Sequence, residues 1–372
     1  MALLTGGIGY LIPFLFVLTV LVFVHELGHY LVARRNGVRV ETFSIGFGPE
    51  LFGWNDRAGT RWKVSAVPLG GYVKMFGDAD PASMPGEHLR DMTEAEKAVS
   101  FHHKRLWQRA AIVSAGPIAN FVMAVLLLTV VIVVRGQPFS PPDVGQVLPG
   151  SAAEAAGIKP GDVIAAIDGQ PIDRFETIQR IVETNTGTPL ELTVKRGDRE
   201  LTLRATPKLV TETDRLGFTH QIARLGIGRK GVDFIRHSPV TAMWYAADEA
   251  WYQTEVTLKA VWQMILGLRS SDELSGPFGI LQLSGAVAQE GIIPLLGFAA
   301  MLSINLGLIN LFPIPVLDGG HLLFYALEAI RGKPLSQRAQ EYGFRFGLAL
   351  VLMLMVFATW NDLVRISKSW GS

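Results

Sequence analysis

The sequence of 372 residues predicts a polytopic α-helical membrane protein: four transmembrane helices, a membrane-associated β-hairpin and one inserted α/β module. Three observations predict this. Hydrophobic residues make up 49% of the chain and charged residues 18%, against about 25% charged in an ordinary soluble domain. The missing charge is concentrated in four runs, residues 1–24, 110–134, 291–317 and 346–361. Between the second and third runs, residues 138–230 return to mixed composition with short strand and turn signals. A net charge of +1 offers no basic field for nucleic acid, so no such partner is expected. The chain has no cysteine, which excludes disulfides, thiolate metal sites and cysteine nucleophiles together. Any metal must be held by His, Asp, Glu or backbone oxygen.

A helix needs about 20 apolar residues to cross the hydrocarbon core. The first three runs reach that length. The fourth is shorter, but Tyr342 and Phe344 extend it and Arg345 can reach the interface along its aliphatic stem. The spans are read as about 8–31, 110–134, 293–316 and 343–363. The first lacks a basic n-region and a small-residue cleavage site before His25, so it reads as a span and not as a signal peptide.

Lys and Arg near span ends set the orientation. Arg34, Arg35 and Arg39 follow span one, and Lys104, Arg105 and Arg109 precede span two. Arg331, Lys333, Arg338 and Arg345 lie between spans three and four. Residues 32–109 and 318–342 are therefore expected in the cytoplasm, and the N-terminus and residues 135–290 outside. Arg365 and Lys368 vote weakly against this and are outnumbered.

Residues 38–76 carry strand chemistry beside a span. Thr42, Phe43, Ile45 and Phe47 surround Gly46 and Gly48, and Trp62, Val64 and Val67 lead to Gly70 and Gly71. Open sheet edges cannot face lipid, so this element must pack on protein or line a wet cavity. Residues 77–106 read as a flexible cytoplasmic loop. In the inserted module, strands are expected at Val144–Leu148, Val163–Ile167, Leu190–Arg196 and Leu201–Ala205, with helices at Ser151–Ala156 and Phe175–Val182. Residues 236–268 are amphipathic and carry Trp244, Tyr245, Trp251, Tyr252 and Trp262, a pattern for a helix at the water–lipid boundary. Core packing under the module is the alternative. The chain divides as 1–37, 38–106, 107–135, 136–232, 233–290, 291–320, 321–341 and 342–372.

The chemistry lies in His25-Glu26-Leu27-Gly28-His29. On a helix, positions i and i+4 share a face, so both imidazoles can reach one metal. Glu26 sits to the side, where it can reach a water on that metal without being a ligand. Two His ligands, a third group and an open position make a zinc hydrolase site. Ionisable groups at membrane depth are costly and mark function. Asp318, after the third uncharged run, supplies the third ligand. Spans one and three both run from outside to inside, so His29 and Asp318 reach the same side. A helix C-cap before Gly319 and Gly320 is the alternative role for Asp318. A His-His-carboxylate set favours Zn2+.

HELGH in span one, SAGPIANF (Ser114 to Phe121) in span two and NLFPIPVLDGG in span three resemble the site-2 protease family of intramembrane zinc metalloproteases. SGPFGI (Ser275 to Ile280) and the inserted module resemble its bacterial RseP-type branch. The string SAAEAAGIKPGDVIAAIDGQPI resembles PDZ domains of bacterial proteases, and it occurs once where many RseP-type members carry two modules. PDZ domains bind a peptide or chain end by adding it as a strand; a spacer or lid role is the alternative. The resemblance implies that His25, His29 and Asp318 bind zinc, with Glu26 as general base. It implies substrate-binding roles for Asn305, Asn310, Pro313 and Pro315, and for the hairpin around Gly46 and Gly48. It implies a bacterial inner-membrane enzyme, its PDZ domain periplasmic and its active site toward the cytoplasm. Such an enzyme cuts single-span membrane proteins in regulated intramembrane proteolysis: anti-sigma factors after a first external cut, or remnant signal peptides. A catalytically dead scaffold would have no use for Glu26. A metal transporter would need polar ligands along several spans, and span two offers only Asn120 and small hydroxyls.

Overall fold

The computed structural model describes residues 2–78, 91–213, 219–231, 233–267, 271 and 274–370. In chain order the elements are α1 (Ala2–Arg35), β1 (Val40–Asn55), β2 (Arg61–Met75), α2 (Glu94–Val99), α3 (Leu106–Arg135), β3 (Gln137–Phe139), β4 (Val144–Val147), α4 (Ala152–Ala155), β5 (Val163–Ile167), β6 (Gln170–Pro171), α5 (Phe175–Thr184), β7 (Leu190–Arg196), β8 (Arg199–Ala205), β9 (Lys208–Thr213), β10 (Thr219–Arg224), β11 (Ile227–Arg229), β12 (Asp233–Ile235), α6 (Pro239–Ile265), α7 (Pro277–Glu290), α8 (Ile292–Leu311), α9 (Asp318–Arg331) and α10 (Gln337–Trp370). Among the described residues, four helices are long and apolar enough to cross a membrane: Gly9–Arg35, Leu106–Arg135, Ile292–Leu311 and Arg338–Ser367. The chain forms two compact units, one of residues 1–128, 246–254 and 275–362, the other of 129–245, 255–274 and 363–372.

In the first unit, α1 and α3 approach closely because both carry small residues at the contact. A side chain at Gly28 would run into Ala115 O and the Ala119 methyl, the close backbone approach that small residues permit between membrane helices. Val17 and Leu21 of α1 join Ala299 of α8 in one buried cluster, and Ala124 of α3 joins Ala300 and Ile304 of α8 in another. A third cluster sets Val38, Val40, Phe43, Val73 and Met75 of the hairpin against Ala33 of α1 and Ile112 of α3.

The hairpin is longer than the glycine pairs suggest. Its turn lies at residues 56–60, where Asp56 accepts the amides of Ala58 at 2.8 Å and Thr60 at 2.9 Å. Residues 40–45 of β1 pair on one side with 71–75 of β2 and lie alongside 61–64 on the other; 52–55 pair with 61–64. Gly71–Met75 is thus an edge whose only described strand neighbour is β1.

Span three is not one helix over 291–320. α8 ends at Leu311, because Pro313 and Pro315 lack the amides a helix would need. Residues 312–317 are irregular, and Val316 has φ 92°. For a β-branched residue that conformation costs about 1–3 kcal/mol. Asp318 does not cap a helix C-terminus; it opens α9, which replaces the expected loop over 321–331. Gly319 and Gly320 let α9 start against the chain it has just left: side chains there would strike the carbonyls of Leu311, Phe312 and Ile314. Likewise α1 continues past His29 to Arg35.

The second unit holds the α/β module. A sheet in the order β6-β5-β7-β8 packs with α4 and α5 on a core of Ile164, Ile167, Phe175, Ile178, Leu190 and Leu192. Its elements lie where the sequence predicts them, within a few residues. Asp168, with φ 48°, makes the predicted Asp-Gly turn after β5. Antiparallel pairing of β3 with β12 closes the two ends of the insertion. Part of the loop expected over 77–106 lies outside the described residues; the described part contains α2, capped by Thr93 and Glu96.

On α6, Trp244, Trp251 and Trp262 are exposed, while Ala242, Ala246 and Ala250 are buried on the other face. The three tryptophans are therefore not core residues.

Candidate active site

Helix α1 sets His25 and His29 one turn apart on one face, and the irregular segment before α9 brings Asp318 to them. His25 Nε2 lies 3.2 Å from His29 Nε2 and 3.2 Å from Asp318 Oδ2; His29 Nε2 lies 3.5 Å from the same oxygen. Metal bonds of about 2.0–2.1 Å at tetrahedral angles separate ligand atoms by about 3.3–3.4 Å. The triangle therefore fits one face of a tetrahedral zinc site. Asp318 Oδ2 is buried without a hydrogen-bond donor, as a carboxylate oxygen aimed at a cation would be.

The outer hydrogen bonds fix which ring nitrogens point inward. His29 Nδ1 donates to the Ile112 carbonyl of α3 at 2.9 Å, leaving Nε2 for a metal. Pro117 supplies no N–H to the Val113 carbonyl of the same helix. His25 Nδ1 lies 3.1 Å from the Asn120 side-chain amide nitrogen, while Asn120 Oδ1 is buried without a partner. Turning that amide over lets Oδ1 accept the His25 Nδ1–H and frees Nε2 in the same way. Gly116 leaves room for both rings: a methyl there would strike His29 Nε2 and come within 2.9 Å of His25 Cε1. A partly buried ion pair, Arg109 to Glu328 at 2.5 Å, ties α3 to α9, with Arg109 also over the Tyr325 ring.

His25, His29 and Asp318 line a cavity of about 280 Å³, together with Glu26, Asn310, His321 and the edge residues Gly70–Val73 and Met75. The Val73 amide faces the Glu26 carboxylate. Of the sequence-predicted residues, His25, Glu26, His29, Asp318 and Asn310 meet here. Asn305 is half-buried on α8 and does not line the cavity. Pro313 is exposed, and Pro315 packs against Gly347 of α10. Gly46 and Gly48 do not line it either: Gly46, at φ 88°, faces the Val67 carbonyl inside the hairpin. Sequence reasoning missed Gly116 and His321, did not say which edge of the hairpin faces the cavity, and left Asn120 without a role. A lone amide in an uncharged span was the signal for Asn120.

In the second unit, a cavity of about 530 Å³ lies between α5 (Phe175, Ile178, Val182) and Leu225–Ile227. β11 pairs only with β4, so its other edge is open among the described residues.

Residues 13–354 match the Peptidase family M50. A protein of Rhizobium meliloti named as a zinc metalloprotease is 46% identical over 98% of this chain and 99% of its own. Protease RseP of Yersinia pestis is 33% identical over 96% of this chain and 98% of its own. Among solved structures, the PDZ domain of an SdrC-like protein from Listeria monocytogenes is similar over 24% of this chain and 88% of that one, with 18% identity and a TM-score of 0.20. A profile match over most of the length and relatives that align end to end identify the chain as a member of peptidase family M50, the site-2 protease family, and as a zinc metalloprotease.

Proposed function

We propose that this metalloprotease is an intramembrane endopeptidase of the bacterial inner membrane, cutting the transmembrane segments of single-span proteins in regulated intramembrane proteolysis. Anti-sigma factors and remnant signal peptides are the substrate classes. The carrying observation is the triangle of His25, His29 and Asp318, beside Glu26 in one cavity, on helices long enough to span a membrane. The Lys and Arg distribution supports a periplasmic PDZ domain and an active site toward the cytoplasmic side.

His25, His29 and Asp318 hold the metal. When bound, zinc supplies a Lewis acid that lowers the pKa of water to about 7 and polarises a carbonyl. Glu26 takes the proton of the attacking water and delivers it to the leaving amine. A membrane helix hides its carbonyls in hydrogen bonds, so the substrate must unwind locally. The edge at Gly71–Val73 pairs with the freed substrate backbone beside Glu26, the role the sequence assigns to the hairpin around Gly46 and Gly48. Asn310, which also lines the cavity, holds the substrate backbone. The PDZ groove between α5 and β11 takes an extended peptide or chain end, and the exposed tryptophans of α6 rest at the lipid boundary.

The test is metal content with cleavage. Purified protein should carry one zinc, lost in His25→Ala and Asp318→Ala. Glu26→Gln should keep the zinc and lose about 10²- to 10⁴-fold or more of the cleavage rate for a single-span substrate. Undiminished cleavage by Glu26→Gln would overturn the mechanism.

A further inference from the structure

The cavity-facing edge of β2 is not uniformly open. Along a strand, successive residues turn their backbone groups to opposite sides. Tyr72 and Lys74 lie opposite Ser44 and Thr42 of β1, and the Phe76 amide donates to the Arg39 carbonyl at 2.8 Å. Gly71, Val73 and Met75 therefore present their N–H and C=O groups outward. At Met75 both groups are taken by one residue. Its amide donates to Asp78 Oδ2 at 3.0 Å, and its carbonyl accepts the Asp78 amide at 3.1 Å. The Asp78 side chain is fully buried, and its other oxygen lies 2.9 Å from His102 Nε2. A buried carboxylate engaged at both oxygens is held by charge-assisted bonds that a neutral peptide does not readily displace. The mechanism makes no use of this group.

We propose that Asp78 is a specificity-determining residue: it closes the cavity edge at Met75, so a substrate strand pairs only with Gly71 and the Val73 carbonyl and its scissile peptide is held in one register against the metal triad. The inference rests on the proteolytic reading of that site. A slip of one residue would turn every substrate side chain to the opposite face, so the nearest competing register lies two residues away. Removing the Asp78 side chain frees the Met75 amide, the pairing group which that register needs.

The experiment uses the full-length chain in proteoliposomes with a single-span model substrate carrying a central Gly-Gly break in its membrane segment. Products are mapped by mass spectrometry. The wild type is expected to cut at one dominant bond. Asp78→Ala is expected to add a second cut about two residues away. Asp78→Asn, whose Oδ1 can still accept the Met75 amide, is expected to keep the single cut. Should Asp78→Ala not accumulate, His102→Leu removes the group that orients Asp78 and is expected to give the second cut in part. A folded Asp78→Ala or His102→Leu enzyme that cuts only at the wild-type bond would overturn the register role and leave the protease reading intact. A wild-type chain that cleaves no single-span protein would overturn both.

Discussion

The Asn120 amide of α3 stands 3.1 Å from Nδ1 of His25, the only polar side chain of span two in hydrogen-bond contact with the metal triad among the described residues. It does for His25 what the Ile112 carbonyl does for His29: it fixes the ring and the tautomer so that Nε2 faces the metal. Loss of such an outer partner weakens metal binding by about 10- to 100-fold. Asn120→Ala should therefore show that loss in a zinc competition titration, and Asn120→Asp, which keeps an acceptor oxygen, should recover most of it. Equal zinc affinity in Asn120→Ala and wild type would remove the residue from the site.

Gly116 makes a second prediction about the same wall. Its missing side chain is the space the two imidazoles occupy. A methyl there must push both rings or separate α3 from α1, and overpacking of this kind costs about 1–3 kcal/mol. Gly116→Ala should bind zinc about tenfold more weakly or worse, with helix content unchanged by circular dichroism. A variant with wild-type zinc content at limiting metal would show that the rings relax without cost.

The legibility of the site in sequence follows the range of the physics involved. The placing of His25 and His29 on one face needs only the helical period, so HELGH carries it locally. Asp318 lies far along the chain, yet counting membrane crossings brings it to the same side, because the bilayer turns a three-dimensional question into one of parity. The break at Pro313 and Pro315 was legible as a kink. The new helix at Asp318 was not, since it depends on Gly319 and Gly320 fitting against carbonyls that only the folded chain presents. Gly46 and Gly48 read as substrate positions only through the family resemblance. In the structure the approaching backbone at Gly46 is the hairpin's own, at Val67, and the edge facing the metal is 71–75, on the far side of 40–45 from 61–64. Strand sidedness at Gly71, Val73 and Met75 is likewise a tertiary fact.

The hairpin turn supplies a pH prediction remote from the metal. Asp56 is partly desolvated, which pushes its pKa up. Hydrogen bonds from the Trp62 indole at 3.1 Å, the Tyr30 hydroxyl at 2.8 Å and the Thr60 and Ala58 amides outweigh this and hold it down at about 2, from 3.8. A carboxylate depressed in the folded state contributes stability that is fully present above its unfolded pKa of about 3.9 and is lost as pH falls through about 2. The turn should hold at pH 4 and loosen toward pH 2. The nitrogen-15 indole resonance of Trp62 in micelles reports this directly: in the wild type it should move between pH 4 and 2. In Asp56→Asn, where no charge titrates, it should already sit toward the loosened position at pH 7 and stay flat through the acid window. A wild-type resonance that does not move down to pH 2, or a variant that moves in parallel with it, would show that Asp56 does not hold the turn.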